Sequence, residues 1–392
     1  MATLTIKLKQ HTPIVHFQSD RAYATIRATE LKPKLDKFLI DKDPSLPVNE
    51  KGALDYKVRI SLIKNRVYPI PDRFPLFFGN MGEHDPQRRK EFVYSDDLLD
   101  IEFFSYKTAI LAIIRDHCRE FFMKNNFGTR QSKGFGSFFL ESINGQAVRE
   151  PFPLKYHFSI KRIEDPPEIW RILFFDLSLF YNSLRAGINL PHIPFYFKSM
   201  MFLYFKAKNV RWDKRSIKEV YFQRDIPNEQ RIHSDRNGPI VWDHTTSYGQ
   251  NNFLVKDLLG LSTAEVWHRP DRSRPVITKE HIDGIIKRFK SPIYFKPIIM
   301  PYGFEVWFDA EAVNPYYGGK TFNIKRDNRG TLQLITPDLN KPNPIFDIHD
   351  FISFSIKQNL SMHVDTKFHQ TPHFKNLTRI YKEISANLRG VV

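Results

Sequence analysis

Residues 128–140 form the segment of the chain whose composition is best suited to binding an anion. Three glycines, two cations and three small hydroxyl side chains come before a run of apolar residues. Glycine permits a positive φ and the close approach of another backbone, and successive N–H groups in such a turn can form an anion-binding nest. The segment therefore predicts a phosphate-binding loop, although a tight connection between a helix and a strand would use the same glycines.

The side chains of this glycine loop, residues 128–136, have predicted roles. Arg130 and Lys133 bring positive charge that would hold phosphates, and such contacts supply affinity and position without reading a base sequence. The glycines would let a sugar–phosphate chain approach closely, and Phe135 would either support the loop or stack on a base. The loop residues predicted to bind a polynucleotide are Arg130, Gln131, Lys133, Gly134, Phe135 and Gly136.

A second group of cations lies on and before a predicted helix over residues 29–40. Apolar residues at helical spacing form one face of this helix. Lys32 and Lys34 lie off that apolar stripe, and Arg27 comes just before the helix. We predict that Arg27, Lys32 and Lys34 extend the basic surface beside the glycine loop, with a solvated helix face as the alternative.

The spacing of residues argues against other classes of site. In the glycine loop the lysine precedes Gly134 and no Gly-Lys-Ser/Thr triplet follows, so the loop is not a nucleotide P-loop. His363, Asp365, His369 and His373 form a metal-like cluster, but their spacing matches no compact zinc pattern and no cysteine joins them. We therefore predict no metal site and no cofactor.

The composition indicates the kind of partner. The chain of 392 residues carries a net charge of +16, which favours a nucleic acid or an anionic membrane surface. No apolar run reaches the roughly 18 residues needed to span a bilayer, and the start of the chain alternates like a strand, unlike a signal peptide. The single cysteine, Cys118, permits no internal disulfide, which fits a reducing compartment. We predict a soluble, cytoplasmic protein with no membrane partner.

Strands and helices on both sides must position the glycine loop. The pattern predicts a strand over residues 4–8, a helix over 107–127 that leads into the loop, and a strand after it over 137–140. Residues 68–94 are typical of an inserted lobe or an exposed loop. Strands and helices alternate without strict βαβ spacing, which predicts an α+β fold with antiparallel sheets. The segment 164–167, which ends in two prolines, marks the best internal boundary.

The order of these pieces resembles the RAMP proteins, the ferredoxin-like RNA-binding subunits of CRISPR systems. The strand ending in Thr12-Pro13, the later Ile26-Arg27 and the helix start at residues 32–38 resemble their opening, and residues 129–137 look like their glycine-rich loop. Residues 288–293 are similar to a strand entry in the subunit numbered one of Cmr-type, type III effector complexes. In that subunit the glycine loop also falls mid-chain.

This resemblance implies ferredoxin-like, RRM-related α+β modules with antiparallel sheets and inserted loops. The expected modules are residues 1–165, with the glycine-rich loop at 128–136, and residues 166–392. The resemblance also implies a non-catalytic, RNA-binding subunit of a type III CRISPR ribonucleoprotein complex in antiviral defence. The expected partners are CRISPR RNA, other RAMP subunits and, as a further option, target RNA.

The same superfamily supplies an alternative function. Its processing endonucleases often use a histidine to cleave RNA through the 2′-hydroxyl, and a pKa near neutrality suits such acid–base work. His11 and His16 follow the first predicted strand, and Asp20 lies where a backbone-type RAMP subunit could place a target-cleaving aspartate. The alternative is therefore a metal-independent endoribonuclease that processes CRISPR repeat RNA.

Overall fold

The structure, a computed structural model, describes residues 2–15, 25–61, 64–71, 74–76, 91–149, 153–189, 195–222, 251–267 and 273–389. The strands are β1 (Ala2–Gln10), β2 (Lys57–Ile60), β3 (Arg66–Pro69), β4 (Glu91–Tyr94), β5 (Leu99–Ser105), β6 (Phe138–Ile143), β7 (Gln146–Ala147), β8 (Tyr156–Ile160), β9 (Ile188–Asn189), β10 (Tyr196–Phe197), β11 (Ala264–Val266), β12 (Val276–His281), β13 (Ile293–Met300), β14 (Gly303–Ala310), β15 (Thr321–Lys325) and β16 (Leu332–Ile335). The helices are α1 (Ala28–Lys42), α2 (Thr108–Lys124), α3 (Glu168–Arg185), α4 (Met200–Ala207), α5 (Asp213–Tyr221), α6 (Ile348–Lys357) and α7 (Pro372–Arg389).

The chain divides into two compact units. The first contains the described parts of residues 1–177 and 294–309, and the second those of 178–293 and 310–389. The first unit therefore also contains residues 294–309, a β segment from late in the chain. The domain boundary predicted at residues 164–167 stays a prediction.

The five-stranded sheet of the first unit has the strand order β2–β5–β1–β6–β7, with antiparallel neighbours throughout. Helix α1 follows β1 and α2 follows β5, so the succession is that of a ferredoxin-like βαββαβ module. Because successive strand residues point to opposite faces, Leu4, Ile6 and Leu8 all enter one core together with the apolar faces of α1 and α2. The predicted α+β class with antiparallel sheets is confirmed.

The insertion between β2 and β5 contains the antiparallel pair β3–β4. Its aromatic residues pack around the fully buried Trp170 on α3, with ring centroids 5.1 Å away at Tyr68 and 5.0 Å away at Tyr94. Val93 also pairs with Ile14 just beyond β1. The described part of the predicted insertion is thus a packed lobe, which adjoins the chain segment after β1.

The second unit is built on a four-stranded antiparallel sheet, β11–β12–β15–β16. A network of charged side chains is buried in this second unit. Lys279 and Asp257, both with side chains 0% exposed, pair across 2.5 Å, and Lys279 also lies 3.0 Å from Glu265. Lys256 pairs with Glu265, and burial lowers the pKa of Lys256 to about 8. Sequence patterns gave no sign of this network because its members come from separate elements.

Among the described residues, no helix combines the length and apolarity needed to cross a membrane.

Candidate functional site

The glycine loop lies between α2 and β6, as predicted, and turns sharply twice. Residues Gln131–Lys133 form a single 3₁₀ turn. Arg130 before the turn has φ 54° and ψ 35°, and Gly134 after it has φ 88°. Both residues are left-handed, a conformation that costs a non-glycine residue free energy and persists only where the surroundings impose it.

Two of the predicted glycines are required by close packing. A Cβ atom on Gly134 would lie 2.9 Å from Pro297 Cγ, and a Cβ on Gly136 would lie 1.9 Å from the Phe127 carbonyl oxygen. Both distances are shorter than real Cβ contacts allow. These glycines therefore serve the approach of the protein's own backbone and side chains.

Most of the N–H groups that a phosphate-binding nest would use already donate within the protein. The Gly128 N–H donates to Glu30 Oε1 across 3.0 Å. Four more loop N–H groups donate to backbone carbonyls, namely those of Thr129 to Val15, Lys133 to Arg130, Gly134 to Gln131 and Gly136 to Pro13. The expected nest is therefore wrong for these five donors, since a buried or folded loop satisfies its own backbone first. Contacts with phosphate would have to come from side chains.

Lys34, predicted to face a polynucleotide, holds the loop from α1. Its Nζ atom donates to Glu30 Oε1 at 2.8 Å, to Gln131 Oε1 at 2.8 Å and to the Asn126 carbonyl at 2.9 Å. Gln131 in turn donates to Glu30 Oε1 across 2.9 Å and to the Gly128 carbonyl across 2.6 Å. These side chains tie the start of the loop to the first two turns of α1. Glu30, which sequence reasoning missed, is the shared acceptor.

The other two cations predicted on and before α1 are Lys32 and Arg27. Lys32 donates to Asp36 Oδ2 at 2.8 Å and to the Leu54 carbonyl at 2.9 Å, with its Nζ atom 3.9 Å from the centroid of the Tyr56 ring. Arg27 is the half-buried residue that precedes α1. Lys32 thus makes several internal contacts, whereas the polynucleotide-binding roles of both residues stay predictions.

Phe135 is fully buried and supports the loop. Its ring stacks on that of Phe174, with centroids 3.8 Å apart and planes within 7°. Of the two roles that the sequence left open, packing is the one present here, because a base cannot reach a ring with no exposed surface.

Arg130, Gln131 and Lys133 are half-buried at the outer part of the loop, whereas Gly134 and Gly136 are buried. The Nζ atom of Lys133 is itself buried, so this lysine would need another rotamer to reach a phosphate. Arg130 is therefore the loop cation best placed to contact a ligand.

The inner side of the loop is attached to β13, more than 150 residues away in sequence. Lys296, which is 0% exposed, donates from Nζ to the carbonyls of Phe138 at 2.7 Å and Asn125 at 3.0 Å, and to Asn126 Oδ1 at 3.1 Å. Burial, together with the charge of Lys34, holds the pKa of Lys296 well below its ordinary value. Ser137 Oγ also donates to the Pro297 carbonyl across 2.7 Å. Both ends of the loop are thereby fixed.

His11, predicted as a catalytic candidate, is buried beside the same strand. Its Nδ1 atom accepts the Ile299 N–H across 3.1 Å, and only 4% of the residue is exposed. Burial, and then the charge of Lys296, holds the pKa of His11 well below its ordinary value. These features are those of a neutral packing residue. His16 and Asp20 lie outside the described residues.

The histidines near the chain's end make separate contacts. His363 Nε2 lies 3.2 Å from Gln358 Oε1, and His369 Nε2 lies 3.0 Å from the Val364 carbonyl. Asp365 pairs with Lys367, and the His373 ring stacks on Phe195. In the part of the chain that the structure describes, no group of three or more His, Cys, Asp or Glu side chains is placed to hold a metal ion.

Two family models match the chain. The Cmr1 N-terminal domain matches residues 1–188, and the Cmr1 C-terminal domain matches residues 196–382. No curated protein sequence gives a significant match. The two matched regions contain both the glycine loop and the four-stranded sheet of the second unit.

Two solved structures show weaker similarity. The chain is similar to a crystal structure of Cmr1 from Pyrococcus furiosus in its apo form, with 12% identity, a TM-score of 0.33 and 90% of this chain and 96% of that chain covered. It is also similar to a chain in a cryo-EM structure of the Type III-B Cmr-beta bound to cognate target RNA, with 14% identity and a TM-score of 0.27. That alignment covers 36% of this chain and 59% of the other, which is less than two thirds of the other chain's length.

Proposed function

Since the chain belongs to the Cmr1 family, we propose that it is a non-catalytic, RNA-binding subunit of a type III CRISPR ribonucleoprotein effector complex. It acts in the cytoplasm in antiviral defence and holds the backbone of guide RNA or of the guide–target duplex. Its partners are CRISPR RNA, target RNA and the other RAMP subunits of that complex. The net charge of +16 supports a polyanionic ligand.

The observation that carries this proposal is the left-handed Arg130 at a corner whose two sides are fixed. Glu30 and Lys34 hold the loop on either side of the corner, at Gly128 and Gln131, and Lys296 holds the strand after it. A strained backbone corner kept in one place by these contacts suits a functional contact, because a preorganised loop loses less entropy on binding. Arg130 therefore contacts an RNA phosphate, with Lys133 beside it.

The test is the binding of a fluorescent single-stranded RNA to the full chain at several salt concentrations. The double variant Arg130→Ala with Lys133→Ala should weaken binding. It should also reduce the slope of log affinity against log salt by about 0.7 for each phosphate that the variant no longer neutralises.

The matched control is Arg115→Ala with Arg171→Ala. Both arginines are exposed, belong to the same unit and pair with a neighbouring carboxylate. Like the loop variant, the control removes two positive charges. It should leave the salt slope close to that of the parent protein. Equal slopes for the loop variant and the parent would contradict the proposal.

A further inference from the structure

The segment of residues 286–290 alternates buried apolar residues with exposed cations in the second unit. Ile286 and Phe289 are buried, whereas Lys287, Arg288 and Lys290 are exposed. None of the three cations pairs with a carboxylate of the described residues. Their positive charge is therefore available to an anionic ligand.

The backbone that presents these cations is held by Phe289. Its ring, 6% exposed, stacks on Tyr317 with centroids 4.3 Å apart, and its carbonyl accepts the Leu261 N–H across 3.2 Å. A Cβ atom placed on Gly260, the residue before Leu261, would lie 3.3 Å from the Ser291 N atom, so the two backbones are close together. The cations are therefore presented by a fixed segment.

Tyr316, beside Tyr317, supplies an exposed aromatic ring. It is 48% exposed, and the Nζ atom of Lys320 lies 4.7 Å from its centroid. The 3₁₀ turn that carries it is capped by Asn314, whose Oδ1 accepts the Tyr316 N–H across 2.9 Å. Thr336 fixes the other side by accepting the Lys320 N–H across 2.9 Å. The half-exposed ring of Tyr316 therefore belongs to a turn that these hydrogen bonds hold in place.

We propose that Tyr316 and the cations Lys287, Arg288, Lys290 and Lys320 form a binding site for single-stranded nucleic acid. Phe289 and Tyr317 join the two parts through their stacked rings. A half-exposed tyrosine stacks on an unpaired base, and the cations hold the adjoining phosphates. A duplex offers no free base face to this ring. The site lies in the second unit and uses no residue of the glycine loop, so it can fail while the function proposed above stands.

The test measures binding of a fluorescent oligouridine to the full chain. Tyr316→Ala should weaken binding about 5- to 150-fold, the change that corresponds to about 1–3 kcal/mol for one stacked base. Tyr316→Phe should restore it, because stacking needs the ring and not the hydroxyl. Binding of inorganic polyphosphate, which has no bases, should be unchanged by Tyr316→Ala.

A triple variant tests the cations. Lys287→Ser, Arg288→Ser and Lys290→Ser together should weaken both oligouridine and polyphosphate binding. The control triple, Lys357→Ser, Lys375→Ser and Lys382→Ser, removes equal charge from exposed positions on α6 and α7 of the same unit and should have less effect.

Either of two results would overturn the site: oligouridine binding that Tyr316→Ala leaves unchanged, or equal effects of the two triple variants. The double variant of Arg130 and Lys133 is measured in parallel. Weaker oligouridine binding in that variant alone would reject this site and keep the proposed function. Weaker binding in the Tyr316 and triple variants alone would keep this site and reject the role of the glycine loop.

Discussion

The Nζ atom of Lys34 lies 2.8 Å from Glu30 Oε1, and the same carboxylate oxygen accepts the Gly128 N–H across 3.0 Å. A salt bridge between successive turns of α1 therefore holds the first residue of the glycine loop. In this arrangement Lys34 makes intramolecular contacts that hold the glycine loop to α1.

The variant Lys34→Met should lower the free energy of unfolding by about 1–3 kcal/mol, since acceptors on Gln131 and Asn126 are left without a charged donor. Urea denaturation measures the decrease. Lys37→Met, at an exposed position on the same helix, should change stability little. Unchanged stability together with a smaller salt slope for RNA binding would show instead that Lys34 is an RNA contact.

Replacement of Lys296 tests the attachment of the loop to β13. Lys296→Met keeps the length of the side chain but leaves the Phe138 and Asn125 carbonyls and Asn126 Oδ1 without this donor. The free energy of unfolding should fall by about 1–3 kcal/mol. The exposed Lys161→Met is the control. A variant as stable as the parent would mean that removal of a desolvated charge offsets the missing hydrogen bonds.

His11 should make the protein less stable in mild acid. The pKa of His11 is near 6.5 in the unfolded chain and well below that in the fold. The unfolded state therefore binds more protons below pH 6.5, and stability falls as the pH falls. His11→Gln removes this titration. As the pH falls from 6.5 to 5, the free energy of unfolding of the variant should therefore decrease by up to about 2 kcal/mol less than that of the parent protein. Identical pH profiles would contradict the buried, neutral histidine.

The buried pair of Lys279 and Asp257 should contribute more to the stability of the second unit than an exposed ion pair does. Lys279→Met leaves Asp257, 0% exposed, with Arg185 at 3.3 Å as its remaining cation, which should cost about 2–3 kcal/mol, less than the loss of a wholly uncompensated buried charge. The exposed pair of Lys325 and Glu280 provides the matched control, since Lys325→Met should cost no more than about 1 kcal/mol. Chemical denaturation compares the two variants, and equal decreases in stability would contradict this account.

The sequence predicted those features of the site that depend on local pattern. Helical spacing placed α2 before the loop, strand alternation placed β6 after it, and glycine indicated the left-handed residue at 134. It could not predict that Lys296 would meet Asn126, because the two are 170 residues apart and no periodicity links them.

The same limit explains why the cations of α1 were predicted to face a ligand. Charge and position off the apolar stripe were correct indications of partial exposure for Lys32 and Lys34. Each lysine pairs with a carboxylate one turn away on α1, but its further acceptors lie in other segments, at Leu54 and Gln131. The i,i+4 spacing on α1 is a local sign of the ion pairs, whereas nothing local indicates the contacts with Leu54 and Gln131.

Chemical footprinting of Arg130 tests the central claim most directly. The full chain is treated with phenylglyoxal with and without single-stranded RNA, and mass spectrometry gives the modification rate at each arginine. Arg130 should be protected by RNA, whereas the exposed Arg115 should react at the same rate in both samples. Equal rates for Arg130 with and without RNA would contradict the claim that the glycine loop holds the RNA backbone.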